Sequence, residues 1–457
     1  MTDKKQLYIL LLATTLSSFL TPFMGSAVNV ALPIMARELS MTALSLSWVA
    51  SSFILAAAIT LVPLGRLADI YGRKRIFLYG AIIFTISSSL CTWSPNQTFL
   101  IIVRALQGVG GAMIFSTGTA MLISAYPPHE RGRILGINIA AVYIGLTIGP
   151  FIGGLLTEHL GWRYIFLFTT ILGIMVIFLM AFMVKEEWVG AKGESFDITG
   201  SLLYAISLFA IMYGFSQLPA LRAGGLIVFG VICLVFFVRQ QLKNPYPLLD
   251  IRLFLNNKVF AFSNLAALIN YSATFAVTLL LSLYLQHIKV LTPSQAGLIL
   301  IAEPLVQALF SPLAGRLSDR FEPQIIASLG MALNVIGLVP LIFIHGDTSI
   351  HYIVLCLIVL GVGFAFFSSP NVNATMSAVE NKFYGVASAT LSTMRLTGQM
   401  FSMGITMLVF ALILGNHPLA EAGNSLLLKS MQIIFFVLAV ICCGGIFASL
   451  ARGKVHQ

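Results

Sequence analysis

The sequence predicts an all-α polytopic membrane protein: fourteen transmembrane helices, arranged as two six-helix bundles with two further helices inserted between them. Three observations predict this. The 457 residues are 58% hydrophobic and only 9% charged, with a mean hydropathy of +0.96. A soluble chain of this length could not cover its surface with so few charges. Apolar runs of about 18–25 residues recur along the whole chain, each long enough to cross the hydrocarbon core of a bilayer. Finally, a basic, glycine-punctuated stretch, Gly65-Arg66-Leu67-Ala68-Asp69-Ile70-Tyr71-Gly72-Arg73-Lys74-Arg75, returns in degenerate form as Gly315-Arg316-Leu317-Ser318-Asp319-Arg320. A charged connection that occurs in both halves points to two related bundles, the build of a transporter that rocks.

The apolar segments run roughly over 7–30, 44–64, 76–93, 98–124, 134–157, 164–184, 198–216, 223–240, 259–285, 296–315, 324–344, 352–378, 384–414 and 431–451. The first follows Met1–Lys5 directly, is too long for a signal-peptide core and has no cleavage site after it, so it is expected to be a retained helix. Residues 185–197 read as a charged linker, and 240–258, with Pro245 and Pro247, as a second. Helices seven and eight lie between them. The expected division is 1–190 for the N-terminal bundle, 191–245 for the linker and extra helices, and 246–457 for the C-terminal bundle. The charged stretch reads as a loop between helices two and three. Its copy falls between helices ten and eleven, the offset that an inserted pair produces.

The formal net charge is +10, but its placement is a topology signal rather than a nucleic-acid footprint. Lys5, Arg66, Arg73, Lys74, Arg75, Arg131, Arg133, Lys185 and Lys192 head a large majority on one side. Arg37, Arg163, Arg222, Lys289 and Lys429 fall on the other. The positive-inside rule then puts both termini in the cytoplasm. Cys91, Cys233, Cys356, Cys442 and Cys443 all lie in apolar segments without metal-ligand spacing and read as small buried or lipid-facing thiols.

Gly65–Arg75 resembles the cytoplasmic hinge motif of the major facilitator superfamily, and the resemblance covers essentially the whole chain. It implies the major facilitator fold. It also implies a hinge formed by Gly65, Asp69, Gly72, Arg73, Lys74 and Arg75, in which Asp69 meets the N-terminus of a helix in the other half, here the one starting near Tyr384. Arg104-Ala105-Leu106-Gln107-Gly108-Val109-Gly110-Gly111 is similar to the family motif that sets an embedded arginine near the coupling site. Residues 145–154 resemble the antiporter motif. In it Gly145, Gly149, Gly153 and Gly154 allow close helix approach, and Pro150 frees a carbonyl and bends the helix. With fourteen helices, the set looks like the QacA/EmrB-type drug:proton antiporters. That implies a multi-pass protein of the cell membrane that moves a small molecule and protons across the bilayer. No cofactor, metal, nucleic acid or protein partner is implied. One departure stands out: Met24 occupies a helix-one position where drug-exporting relatives commonly carry an acid.

Ionisable residues inside the apolar segments are few: Arg104, Glu303 and Arg395, with Glu158 and His159 at an edge. Burying a charge in lipid costs about 2.5–3.5 kcal/mol even on the lenient insertion scale, so such residues tend to face a cavity. Glu303 is expected about eight residues into helix ten, roughly 12 Å deep at 1.5 Å per residue. A carboxyl there can take a proton from one side and release it to the other, and Pro304 weakens the helix beside it. Arg104 is expected to be bonded to carbonyls near Ser94–Thr98, to Gln107, or to a substrate anion. Arg395 could pair with Glu303 or bind an anionic substrate. Asn29, Gln107, Asn138, Asn270 and Asn373 are the substrate-cavity candidates, since by resemblance helices one, five, nine and twelve have cavity-facing stretches.

Two functions fit. One is proton-coupled efflux of small amphipathic compounds. The other is transport of a specific, possibly anionic, solute without proton antiport. The absence of a nucleophile–base pair, metal-ligand cluster or phosphate-binding loop argues against an enzyme.

Overall fold

The computed structural model describes residues 4–380, 384–415 and 423–453. Fourteen of its helices are long and apolar enough to cross a membrane. They are α1 (Lys4–Glu38), α2 (Ala43–Tyr71), α3 (Arg73–Thr92), α4 (Gln97–Ala125), α5 (Pro128–His159), α6 (Arg163–Met183), α7 (Ile198–Gln217), α8 (Leu221–Lys243), α9 (Lys258–Ile288), α10 (Pro293–Arg320), α11 (Pro323–Leu341), α12 (Ile350–Ser377), α13 (Tyr384–Ile413) and α14 (Asn424–Ala451). A short helix, Ile251–Asn256, precedes α9.

Helix starts are fixed by side chains in the tight connections. Thr42 accepts the Ser45 amide at 3.1 Å, Asn96 that of Phe99 at 2.9 Å and Asn257 that of Phe260 at 2.9 Å. Thr292 and Gln295 make a reciprocal capping box at the start of α10. Within the spans, hydroxyls bond back to the preceding turn, as Thr14 does to Leu10, Ser47 to Ala43 and Thr117 to Met113. With no water in a bilayer core, this local closure satisfies groups that would otherwise be orphaned.

The packing repeats. In the first six helices α1 lies on α5, α2 and α3 on α4, and α3 on α6. In the last six α9 lies on α13, α10 and α11 on α12, and α11 on α14. Each pair recurs eight helices later. The contacts between the halves are themselves reciprocal, α5 with α10 and α13 with α2. The inserted hairpin α7–α8 sits beside one of these seams. The Tyr204 hydroxyl donates to the Ala58 carbonyl of α2 at 3.2 Å, and Trp48 lies 6.3 Å from Tyr213. On the other side Phe215 meets Phe401 of α13 edge-on at 6.1 Å.

Helix α5 presses directly onto the α1 backbone through three glycines one turn apart. A Cβ at Gly145 would stand 2.6 Å from the Phe19 carbonyl, one at Gly149 3.1 Å from that of Phe23, and one at Gly153 2.7 Å from the Cα of Ala27. Contact of this kind relies on van der Waals packing and weak Cα–H···O bonds rather than on a hydrophobic drive, which is absent between helices in lipid. Gly153→Ala should therefore destabilise the bundle by about 1–3 kcal/mol, as overpacking does. Gly136→Ala, with nothing within 4 Å of its added carbon, should leave the melting temperature unchanged or raise it. Tryptophan-fluorescence melts of the two variants in detergent micelles check this pair.

Candidate functional site

The charged stretch is not a loop. Helix α2 runs on to Tyr71 and α3 starts at Arg73, so Gly72 alone interrupts the helices. The copy at Gly315–Arg320 lies wholly inside α10. Sequence reading ended the helices with the apolar residues. In fact they continue past the hydrocarbon boundary, where charged side chains on helical backbone are readily solvated.

Gly72 has φ +122°, a region that side chains disfavour, and a Cβ there would meet the Glu187 carboxyl carbon at 2.6 Å. That carboxylate caps α3, accepting the Lys74 amide at 2.8 Å and the Arg75 amide at 3.2 Å. The rest of the connection between α6 and α7 follows it across the motif. The Arg73 amide donates to the Trp188 carbonyl at 2.9 Å. The Asp69 carbonyl accepts the amides of Gly190 at 3.0 Å and Ala191 at 2.8 Å. Arg66 pairs with Glu194. Residues 187–194 thus form a strap over the hinge. At the strap's end Asp197 caps α7 and takes the side-chain amides of Gln240 and Gln241 of α8.

The Asp69 carboxylate faces Arg73 of its own half, 2.8 Å from Nε and 2.7 Å from Nη2. The expected partner, the start of α13, follows residues 381–383, which lie outside the described residues. Gly65 packs against Ser116 of α4. In the second copy Asp319 and Ser318 accept the Asn373 amide at 3.3 Å and 3.1 Å. Asn373 thus stands at the hinge end.

At the opposite end the halves are shut against each other. Gly154 of α5 lies on the Pro293 carbonyl, and Gly297 of α10 lies on the Pro150 carbonyl. Gln286 donates to the Val30 carbonyl of α1 at 2.8 Å, and Glu158 accepts the Ser294 amide at 3.0 Å. The antiporter-like segment thus serves two partners, α1 through Gly145, Gly149 and Gly153 and the other half through Pro150 and Gly154.

Arg104 is almost fully buried at 1% exposure. It donates to the Val49 carbonyl of α2 at 3.1 Å and to Gln107, and lies 4.6 Å over the Phe53 ring. Gln107 in turn donates to Ser88 of α3 at 2.6 Å. The two residues join α2, α3 and α4. The carbonyl near residue 94 is instead reached by Arg163, at 3.3 Å from that of Ser94. Asn270 is wholly buried and accepts the Asn334 amide at 2.9 Å, so it ties α9 to α11. Asn29 and Asn138 are buried on α1 and α5, and the Asn138 Oδ1 has no partner.

Glu303 and Arg395 are both half-buried but do not pair. Their helices explain this: α10 packs on α12 and α5, whereas α13 packs on α9 and α2. Glu303 sits just past a break at Ile301, where Pro304 lacks the amide that would bond the Leu300 carbonyl. Its backbone lies against Gly361 of α12. Arg395 lies 5.0 Å over the Tyr271 ring, and Tyr271 meets Phe364 edge-on at 5.3 Å. Across the seam the hydroxyls of Ser311 and Tyr143 approach to 3.5 Å. These groups stand roughly halfway along α5, α9, α10, α12 and α13. Sequence reading missed Tyr143, Tyr271 and Phe364, which nothing distinguishes from the other tyrosines and phenylalanines. It missed Glu187 as well, though a carboxylate near a basic helix start was a usable signal.

The family model for the Major Facilitator Superfamily matches residues 14–403 and 263–455. The chain is 29% identical to a riboflavin transporter, RibZ, of Clostridioides difficile (strain 630), over 98% of this chain and 97% of that one. It is 30% identical to an uncharacterized transporter, YebQ, of Escherichia coli (strain K12), over 94% and 93%. It is 31% identical to the multidrug resistance protein Stp of Mycobacterium tuberculosis (strain CDC 1551 / Oshkosh), over 86% and 74%. Among solved structures, a bacterial homologue of the lysosomal transporter Spinster, inward-facing and unoccupied, superposes with TM-score 0.72 at 17% identity over 98% of both chains. The inward-open xylose transporter XylE of Escherichia coli gives 0.65 at 14% identity over 99% and 96%. At those identities the structures speak for the fold alone.

If Glu187 holds the strap, Glu187→Ala should speed deuterium exchange of amides 187–194 about fivefold, in line with a helix-terminal charge worth about 0.3–1 kcal/mol. Glu194→Gln should do the same from the Arg66 side. Unchanged exchange in both would mean that the backbone bonds suffice.

Proposed function

The chain belongs to the major facilitator superfamily and is a membrane transporter of small molecules rather than an enzyme, and on that premise we propose that it exports small amphipathic compounds in exchange for protons, by alternating access. The observation that carries the reading is Glu303. It is a half-buried carboxyl without an ion-pair partner among the described residues, on the helix that closes against α5. Relatives named as multidrug resistance and drug efflux proteins support export.

In this reading both termini and the hinge end are cytoplasmic, residues 1–190 and 246–457 are the two rocking bundles, and the structure is the inward-facing state. Opening the outer end separates Gly154 from Pro293 and Gly297 from Pro150 and frees Gln286 and Glu158. Glu303, near that end of α10, then takes a proton from outside. Return to the present state lets it release the proton inward after the compound has left. Asp69 exchanges Arg73 for the start of α13 in the alternate state, where a helix dipole favours a carboxylate. Arg104 and Gln107 hold α2, α3 and α4 together, so that the first bundle moves as a unit.

A second reading, uncoupled transport of a specific solute, is favoured by Met24. It is fully buried on α1, so that helix supplies no acid at the position.

The test is proton movement in proteoliposomes under an imposed pH gradient as amphipaths are added. Wild type should dissipate the gradient, and Glu303→Gln should abolish the dissipation while leaving compound binding within about twofold. Labelled solute crossing in wild type with no proton movement would establish the second reading. Asp69→Asn should slow turnover by about tenfold or more, roughly 1.4 kcal/mol per factor of ten, with binding retained. Wild-type turnover in that variant would remove Asp69 from the hinge.

A further inference from the structure

Arg395 carries its charge to the middle of α13, and among the described residues no carboxylate meets it. Its Nε is buried without an acceptor, and its guanidinium lies 5.0 Å over Tyr271. A charge at that depth is costly unless something supplies the counter-charge. Glu303 does not: Ser311, which marks the level of the cluster on α10, is about 12 Å further along that helix. The neighbours are instead aromatic rings and hydroxyls. Phe364 stands edge-on to Tyr271 with an interplanar angle of 79°. Ser368, Arg395 and, from the other half, Tyr143 are neighbours of Tyr271. Tyr143 also faces Ser311 at 3.5 Å, long for a hydroxyl pair; Ser311 donates its proton to the Gln307 carbonyl at 2.8 Å, so the Tyr143 hydroxyl remains available to a ligand and Ser311 can still accept.

We propose that Arg395, Tyr271, Phe364, Tyr143 and Ser311 form a binding site for a planar aromatic compound bearing one acidic group. The inference rests on the transporter reading and narrows its substrate class. The guanidinium fork matches a carboxylate with two parallel hydrogen bonds. Tyr271 and Phe364 supply walls for the ring. Tyr143 and Ser311 would meet the ligand from both sides of the seam, so that it touches both halves. An amphipathic cation is disfavoured here, since it would meet Arg395 with no acid beside it.

Three probes with one ring separate the charges: 2-naphthoate, 2-naphthalenemethanol and 2-naphthylmethylammonium. Binding of each to the full chain in lipid nanodiscs is measured by calorimetry at fixed pH, with no gradient. Naphthoate should bind wild type most tightly. Arg395→Gln should weaken it by roughly tenfold or more, the loss of a charge-assisted pair, and should leave the alcohol within about twofold. Tyr271→Ala should weaken all three. Tighter binding of the ammonium, absence of naphthoate binding to wild type, or wild-type naphthoate affinity in Arg395→Gln overturns the proposal. Should Arg395→Gln fail to fold, Arg395→Lys decides: it keeps the charge but loses the fork, and undiminished naphthoate binding in it overturns the proposal equally. Because no gradient is present, failure of proton coupling leaves this outcome untouched, and the reverse holds.

Discussion

The structure depends on one kind of contact, glycine backbone against a neighbouring helix's carbonyl. Lipid is as apolar as leucine, so apolar side chains gain little by meeting each other inside a bilayer. What holds helices there is closeness. Gly145, Gly149 and Gly153 bring α5 onto α1 within one half, and Gly154 with Gly297 brings α5 onto α10 across the seam. The same helix therefore meets its own half on one face and the other half on another. The first face carries three close approaches. The second carries two, supplemented by the bond from the Ser294 amide to Glu158; Gln286 of α9 bonds instead to Val30 of α1.

Many serines and threonines inside the halves close on their own helices, and the buried amides Asn270 and Asn334 share one hydrogen bond. Arg104 is enclosed by Val49, Gln107 and Phe53. The groups left short of partners include the Asn138 Oδ1 on α5 and the Arg395 Nε on α13, both on helices that form the seams. A buried charge with incomplete pairing is more costly than a paired one, and a ligand that supplies the missing partner lowers that cost.

The helices, their number and the repeat were legible in the sequence because each rests on a run of apolar residues that the bilayer's thickness dictates. The boundaries of α2 and α10 were not, because charge was read as the end of a helix when it marks only the end of the hydrocarbon. Glu303, Arg104 and Arg395 were visible as rare charges, and Gln107, one turn on, as a partner of Arg104; the neighbours on other helices, Val49, Phe53 and Tyr271, were not, since partnership of that kind is decided by which helix faces which. Arg395 meets Tyr271 and Asn373 meets Asp319 for that reason, and neither pairing is written in local sequence. The central aromatic residues were hidden by abundance, among 34 phenylalanines and 13 tyrosines.

The inserted hairpin removes an equivalence that the repeat would otherwise impose. Two related bundles meeting about a pseudo-twofold axis have two like crevices toward the lipid, one along α2 and α13 and one along α5 and α10. Helix α7 touches both walls of the first through Tyr204, Tyr213 and Phe215. Among the described residues the second has no such cover. A molecule dissolved in the surrounding leaflet therefore meets a walled flank and a bare one. The extra pair of helices gives the transporter a front and a back within the plane of the membrane.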